Sequence, residues 1–69
     1  MISEIISKAC RDGVVYFRWY GRTHVLRRGF EPQSWEFVEY SGHILYRFKD
    51  LEFVQEFLGE FDETQFSWN

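Results

Sequence analysis

Three side chains in this sequence could act as soft metal ligands, or as a nucleophile and its base: Cys10, His24 and His43. Zinc sites combine several such ligands, and the ligands usually occur in the sequence at paired spacings. These three residues are scattered and show no such pairing. Cys10 also falls on the apolar stripe of a predicted helix, where we expect a buried and unreactive thiol. We expect His24 at the edge of the core, so the sequence predicts no metal site and no Cys–His nucleophile.

Carboxylates are more numerous, but their arrangement is typical of a solvated surface. They follow the last predicted helix and the tail as Glu52, Glu56, Glu60, Asp62 and Glu63. A chain of 69 residues also leaves little room for a substrate pocket of about 300 Å³ or more. No phosphate-binding loop or other catalytic motif stands out. We therefore expect a protein that is not an enzyme and uses no cofactor.

The length and composition are those of one small globular domain. Its eight phenylalanines, four tyrosines and three tryptophans can each bury about 150–250 Å². A single cysteine excludes an internal disulfide and is typical of a reducing compartment. The segment MISEIISKACRDG lacks the apolar core of a signal peptide, and no segment approaches the roughly 20 apolar residues of a membrane span. We expect a cytoplasmic protein with no membrane partner.

The net charge of −3 conceals an asymmetry along the chain. Residues 1–30 carry six basic and two acidic side chains, a net charge of +4, whereas residues 31–69 carry two basic and nine acidic ones, a net charge of −7. Such a separation implies a large dipole, which affects encounter with partners more than it affects the fold.

Hydrophobic periodicity predicts an α+β domain with a helix near each end of the chain. The first helix covers residues 3–11, with Ser3 as N-cap and Gly13 as the left-handed residue that ends it. The second covers residues 51–59, with Asp50 as N-cap, and residues 60–69 form a tail without periodicity. The apolar stripes of the two helices are Ile2, Ile5, Ile6, Ala9 and Cys10, and Leu51, Val54, Phe57, Leu58 and Phe61.

Between the helices the period changes to two, which predicts two hairpins and an antiparallel sheet of about four strands. The strands cover residues 14–20, 23–30, 35–40 and 43–48, with turns at residues 21–22 and 41–42. In the first hairpin Trp19 is expected opposite His24. The predicted core face carries Val15, Phe17, Trp19, His24 and Leu26 from the first hairpin and Trp35, Phe37, Ile44, Tyr46 and Phe48 from the second.

The stretch VYFRWYGRTHVLRRGF, residues 15–30, contains five aromatic rings and four arginines in sixteen positions. Tyr16, Arg18, Tyr20 and Arg27 lie on the face opposite the predicted core. Rings can stack on bases and guanidinium groups can hold phosphates, so this face predicts a single-stranded nucleic-acid binder as one alternative. The acidic residues of the second hairpin and the last helix would repel a polyanion.

The acidic and aromatic end of the chain, EFLGEFDETQFSWN, suggests a second kind of binding site. Aromatic anchors ringed by acids would suit a basic groove on a larger protein. The residues assigned to this docking element are Glu60, Phe61, Asp62, Glu63, Phe66 and Trp68. In the competing interpretation, Phe66 and Trp68 tuck against a sheet edge and only stabilise the fold.

The outer sheet face is also rather apolar, with Val25, Val38, Tyr40 and Leu45 beside Tyr16. A helix, a protein partner or a second copy in a homodimer could cover it. Our main hypothesis is a small non-enzymatic module that binds a larger protein. It could be an inhibitor or regulator of nucleic-acid-handling machinery encoded by a phage or mobile element, although no motif supports that setting.

Overall fold

The computed structural model describes residues 1–69 and shows an α+β fold with one antiparallel sheet of five strands. The sheet order is β4-β3-β2-β1-β5, so the first four strands form a meander and the last strand returns to β1. In chain order the elements are α1 (Ile2–Asp12), β1 (Val14–Trp19), β2 (Arg22–Arg28), β3 (Trp35–Glu39), β4 (Ile44–Phe48), α2 (Leu51–Gly59), a 3₁₀ turn (Glu63–Gln65) and β5 (Phe66–Ser67).

The first hairpin has the predicted faces but a different turn. Tyr20 and Gly21 occupy the turn with φ of 53° and 75°, and positive φ at both central positions is the requirement of a type I′ turn. Trp19 therefore pairs with Arg22, and Phe17 pairs with His24. The predicted turn at residues 21–22 was wrong by one position. Because this changes the cross-strand pairing by two residues, every side chain keeps its predicted face.

The second hairpin follows the predicted register at one end and departs from it at the other. Trp35 pairs with Phe48, the pairing that a turn at residues 41–42 requires. A bulge between Phe37 and Val38 then shifts the pairing, so that Val38 lies opposite Ile44. The bulge places Ile44 beside Val38 on the outer face, and Leu45 packs against the core instead. The predicted positions of Ile44 and Leu45 were therefore exchanged, because one extra residue reverses the alternation of side chains.

Both helices cover the same side of the sheet, and the hydrophobic core lies between the helices and the sheet. Phe17, Leu26 and Phe37 of the sheet are fully buried there against Ile5 of α1 and Leu58 of α2. The complete core cluster is Ile5, Ile6, Ala9, Val15, Phe17, Leu26, Trp35, Phe37, Val54, Leu58 and Phe66. Neither helix is long and apolar enough to cross a lipid bilayer.

The helix boundaries match the predictions within one residue, with two corrections in α1. Gly13 ends α1 in the left-handed conformation with φ of 77°, and Asp50 caps α2 by accepting a hydrogen bond from the Phe53 N–H at 3.2 Å. Ser3 is not the N-cap of α1, since the helix already begins at Ile2. Cys10 is exposed rather than buried, because the residues of α1 that face the core are Ile5, Ile6 and Ala9, and Cys10 lies beside this row rather than in it.

The tail adds a fifth strand to the sheet. The strand was not predicted, but its position agrees with the competing interpretation, in which Phe66 tucks against a sheet edge. β5 pairs with β1 through Arg18–Ser67 and Trp19–Phe66, and so closes the β1 edge with a fifth strand. Phe66 is 4% exposed, with its ring centroid 5.9 Å from that of Phe17.

Candidate interaction surfaces

The outer side of the sheet has no helix over it and forms the first candidate surface. We call it the open face and define it by Tyr16, Arg18, Arg27, Tyr40 and Arg47. Tyr16 and Tyr40 are 55% and 79% exposed. Between them Val25 and Val38 are buried, although they lie on the side away from the core cluster. The valines therefore form a floor, and the tyrosines and arginines form the accessible surface.

The arginines of the open face differ in how far their charges are already balanced. Glu36 lies between two of them, accepting a hydrogen bond from Arg27 Nε at 3.0 Å and lying 3.7 Å from Arg47 Nε. Arg18 makes no ion pair or hydrogen bond through its side chain within the chain. One carboxylate thus pairs with two of the three arginines, Arg18 is left without a partner, and the open face carries a net positive charge.

Most of the acidic residues lie on the opposite side of the molecule. Glu52 and Glu56 are exposed on α2, and Glu60, Asp62 and Glu63 follow in the segment leading to β5. The open face is therefore the more basic side of the domain, and α2 with the segment after it forms an acidic helical layer, although Lys8 and Arg11 lie on α1 on that same side. This uneven distribution gives the domain a dipole. Such a dipole favours approach of a negatively charged partner to the open face.

The structure brings together most of the residues predicted to bind nucleic acid. Tyr16, Arg18 and Arg27 lie on the open face, on adjacent strands β1 and β2. Tyr20 is separate from them, because it occupies the turn and its ring packs edge-on against Trp19 at 5.0 Å. Tyr40 and Arg47 were not in the predicted set. The period of two in the second hairpin assigns both residues to the outer face, so the sequence could have included them in the predicted binding set.

The acidic and aromatic end is largely used within the fold. Phe66 is in the core, and the Phe61 ring is half-buried 5.1 Å from Trp19. Asp62 accepts a hydrogen bond from the Thr64 N–H at 3.0 Å, which lowers the pKa of its carboxyl. Glu63 binds the N-terminus of α1.

Six residues were predicted to dock on a partner. Of these, only Glu60 and Trp68 have exposed side chains that take no part in the core or in hydrogen bonds within the fold. Even Trp68, 39% exposed, has the Lys8 ammonium 4.8 Å from its ring centroid. Phe66 cannot contact a partner in this fold. The sheet therefore offers a more accessible surface for a protein partner than the tail does.

The candidate metal and nucleophile residues lie on three different parts of the chain. His24 is buried on the core face and its Nδ1 donates a hydrogen bond to the Arg22 carbonyl oxygen at 2.8 Å. Cys10 lies on α1 and His43 lies in the loop that precedes β4. No group of three or more His, Cys, Asp and Glu side chains is arranged to hold a metal ion.

A second candidate surface lies where β4 meets α2, and the sequence did not reveal it. Phe48, Phe53 and Phe57 line an open groove of about 390 Å³, which we call the β4–α2 groove. Its charged border is formed by Arg47, Lys49, Glu56 and Glu60. Phe53 is half-exposed and lies off the apolar stripe of α2. The position of Phe53 on the polar side of the predicted helix was the sequence feature that could have indicated this surface.

Comparison with known proteins gives no relative for this chain: no family model, no curated protein and no solved structure matches it significantly.

Proposed function

We propose that this protein is a non-enzymatic interaction module that binds an acidic surface of a larger protein through its open face. The observation that carries this proposal is the placement of both helices on one side of the sheet. A sheet face with exposed Tyr16 and Tyr40 and a buried valine floor is thereby left uncovered. Exposed apolar patches on a protein surface often mark sites where another molecule binds.

The chemistry of the open face favours a protein partner. Tyrosine and arginine are among the residue types that contribute most to binding at protein interfaces, because they combine large contact area with directed polar groups. Arg18 has no internal partner and would pair with a carboxylate supplied from outside. The acidic helical layer would repel an acidic partner, so this repulsion helps to orient the domain with its open face toward the partner.

Single-stranded nucleic acid is a second candidate for the same face, and one specific observation favours it. The acids that argued against this function lie in the helical layer, apart from Glu36 and Glu39 of β3, and the charge of Glu36 is shared by Arg27 and Arg47. The tyrosines could then stack on bases while Arg18 contacts a phosphate. A role as an inhibitor of nucleic-acid-handling machinery stays a prediction, since it depends on the identity of the partner.

Affinity capture with matched variants tests both candidates. The protein is immobilised and exposed to cell lysate with and without nuclease, beside a Tyr16→Ala/Arg18→Glu variant and an Arg11→Glu control. Arg11 is exposed on α1, so its reversal makes the same charge change on the other layer. We expect a protein that is retained after nuclease, lost with the open-face variant and kept with the control.

Three results would contradict the main proposal. Capture that disappears with nuclease would favour the nucleic-acid candidate. Retention by the open-face variant, or loss with the Arg11→Glu control, would place binding on the helical layer.

A further inference from the structure

β4 is an edge strand with one side unpaired. It pairs with β3 along Trp35–Phe48, Glu36–Arg47 and Phe37–Tyr46, and no strand or helix pairs with its other side. The opposite edge of the sheet is closed by the short β5. An unpaired edge presents a row of backbone N–H and C=O groups that can accept another strand. β4 is therefore the position where this sheet could be extended.

The surroundings of β4 contain space for side chains from an added strand. On the inner side, the β4–α2 groove of about 390 Å³ offers Phe48, Phe53 and Phe57, with Glu56 and Glu60 on its helical wall. On the other side of Phe48 a second cavity of about 240 Å³ is lined in part by Trp35 and Phe30. Phe30 is fully exposed in the loop before β3. Alternate residues of an added strand would thus meet aromatic rings that are bordered by charged side chains.

The outward residues of an added strand would meet positive charge. Arg47 lies on the outer face of β4 with 73% of its side chain exposed, and Lys49 follows it two positions later. β3 already shows which sequence pattern suits this strand, since it sets Trp35 and Phe37 opposite Phe48 and Tyr46 and sets Glu36 opposite Arg47. Opposite charges on directly facing residues of neighbouring strands are stabilising.

From these features we propose that the free edge of β4 binds an extended segment of another protein in which apolar residues alternate with acidic ones. The segment adds a sixth strand to the sheet through backbone hydrogen bonds. Its apolar side chains enter the β4–α2 groove, and its acidic side chains pair with Arg47 and Lys49. This is strand addition, in which main-chain bonds supply affinity and alternate side-chain pockets supply specificity.

A second copy of the chain suits this edge less well than an acidic segment does. Residues 43–49 contain His43, Arg47 and Lys49 and no acid. Antiparallel pairing of β4 with itself would bring the basic residues of two copies together without a compensating carboxylate. Charged residues on an edge strand act in this way to prevent self-association.

A synthetic peptide tests the proposal without knowledge of the natural partner. The probe is a ten-residue peptide in which phenylalanine and leucine alternate with glutamate. One control replaces each glutamate with lysine, and another keeps the composition but separates the apolar and acidic residues into two blocks. In NMR titrations we expect the alternating acidic peptide to shift backbone amides of β4 and α2 and to show inter-strand contacts with β4, while both controls bind at least about tenfold more weakly.

Variants locate the peptide and identify the charge that selects it. Phe53→Ala should weaken binding by about tenfold, because it removes the exposed ring of the groove. Arg47→Glu should reverse the preference from the glutamate peptide to the lysine peptide. Tyr16→Ala, on the open face, should leave peptide binding unchanged, so this test can fail independently of the proposed function.

Three results would overturn the proposal. The first is equal binding of the acidic and basic peptides, and the second is a set of amide shifts confined to β1 and β2. The third is sedimentation of the free protein as a dimer that Arg47→Glu alters, which would assign the edge to a second copy.

Discussion

Glu63 accepts a hydrogen bond from the backbone N–H of Ile2 at 2.9 Å, although 61 positions separate the two residues. The same carboxylate oxygen lies 2.5 Å from the ammonium group of Met1. The first N–H groups of a helix have no partner within the helix, and a carboxylate beside them is favoured by the helix dipole. Glu63 therefore caps α1 and ties the segment before β5 to the start of the chain.

This contact predicts how stability depends on pH. The hydrogen bond from the Met1 ammonium, and then that from Ile2, lowers the pKa of Glu63, while the bond to Glu63 raises the pKa of the Met1 ammonium. The Glu63 contribution is thus present above the ordinary carboxyl pKa of about 4.3 and is lost as pH falls through its lowered value. The Met1 contribution is present below about pH 8 and is lost as pH rises through its raised value.

We expect Glu63→Gln to lower the melting temperature by a few degrees near neutral pH, with the difference from wild type shrinking in acid and in strong base. Thermal melts followed by circular dichroism between pH 3 and 10 measure this. Glu60→Gln, which removes a nearby carboxylate without an ion pair, is the control. Identical pH profiles for the Glu63 variant and wild type would contradict the capping role.

Phe66→Ala should destabilise the free protein strongly, because Phe66 is a core residue rather than an exposed anchor. Removal of a buried phenylalanine side chain costs about 3–5 kcal/mol, a large part of the stability of a small domain. Urea denaturation measures the loss. Trp68→Ala, at the more exposed position, should cost about 1 kcal/mol or less. Similar small costs for both variants would show that the tail does not belong to the core.

The nucleic-acid candidate predicts binding that depends on salt and on the open face. Single-stranded oligonucleotides should bind at low salt, with affinity falling steeply as the salt concentration rises. Tyr16→Ala combined with Arg18→Ala should weaken binding by about tenfold or more, since each stacked ring contributes about 1–3 kcal/mol. Fluorescence anisotropy measures this, with Arg11→Ala as the matched control. Absence of binding at low salt would remove this candidate.

Glu36→Gln should make the open face more basic with a modest loss of stability. The Glu36 carboxylate holds Arg27 and Arg47, and its side chain is only 14% exposed, whereas both arginines reach solvent. We expect a loss of about 1 kcal/mol in the free energy of unfolding. If nucleic acid binds this face, its affinity should rise in the same variant. Weaker binding would show that Glu36 positions the arginines for contact.

Cys10 should react with a maleimide in the folded protein, because its side chain is exposed on α1. The labelling rate in native buffer should approach the rate in denaturant. Cys10→Ser should change the free energy of unfolding by less than about 0.5 kcal/mol, as is usual for surface positions. Slow labelling in the native state would contradict the exposed position and would agree with the buried position that the helical periodicity predicts.

The helices and the faces of the first hairpin could be predicted from the sequence because they depend on local chemistry. Gly13 can adopt the left-handed conformation that ends α1, and the Asp50 side chain can cap the next helix. The period of two assigned Phe17 and Tyr16 to opposite faces. That assignment survived the error in the turn, since pairing moved by two residues.

Features that depend on distant partners were decided only by the tertiary structure. Phe66 becomes a strand residue because β1 lies beside it, and two strand residues are too few to show a periodicity. The bulge that exchanges Ile44 and Leu45 depends on how β4 fits against β3. The side of the sheet that stays open was also decided by packing. A helix's apolar stripe shows that it must bury one face, but it carries no information about which side of a distant sheet it will cover.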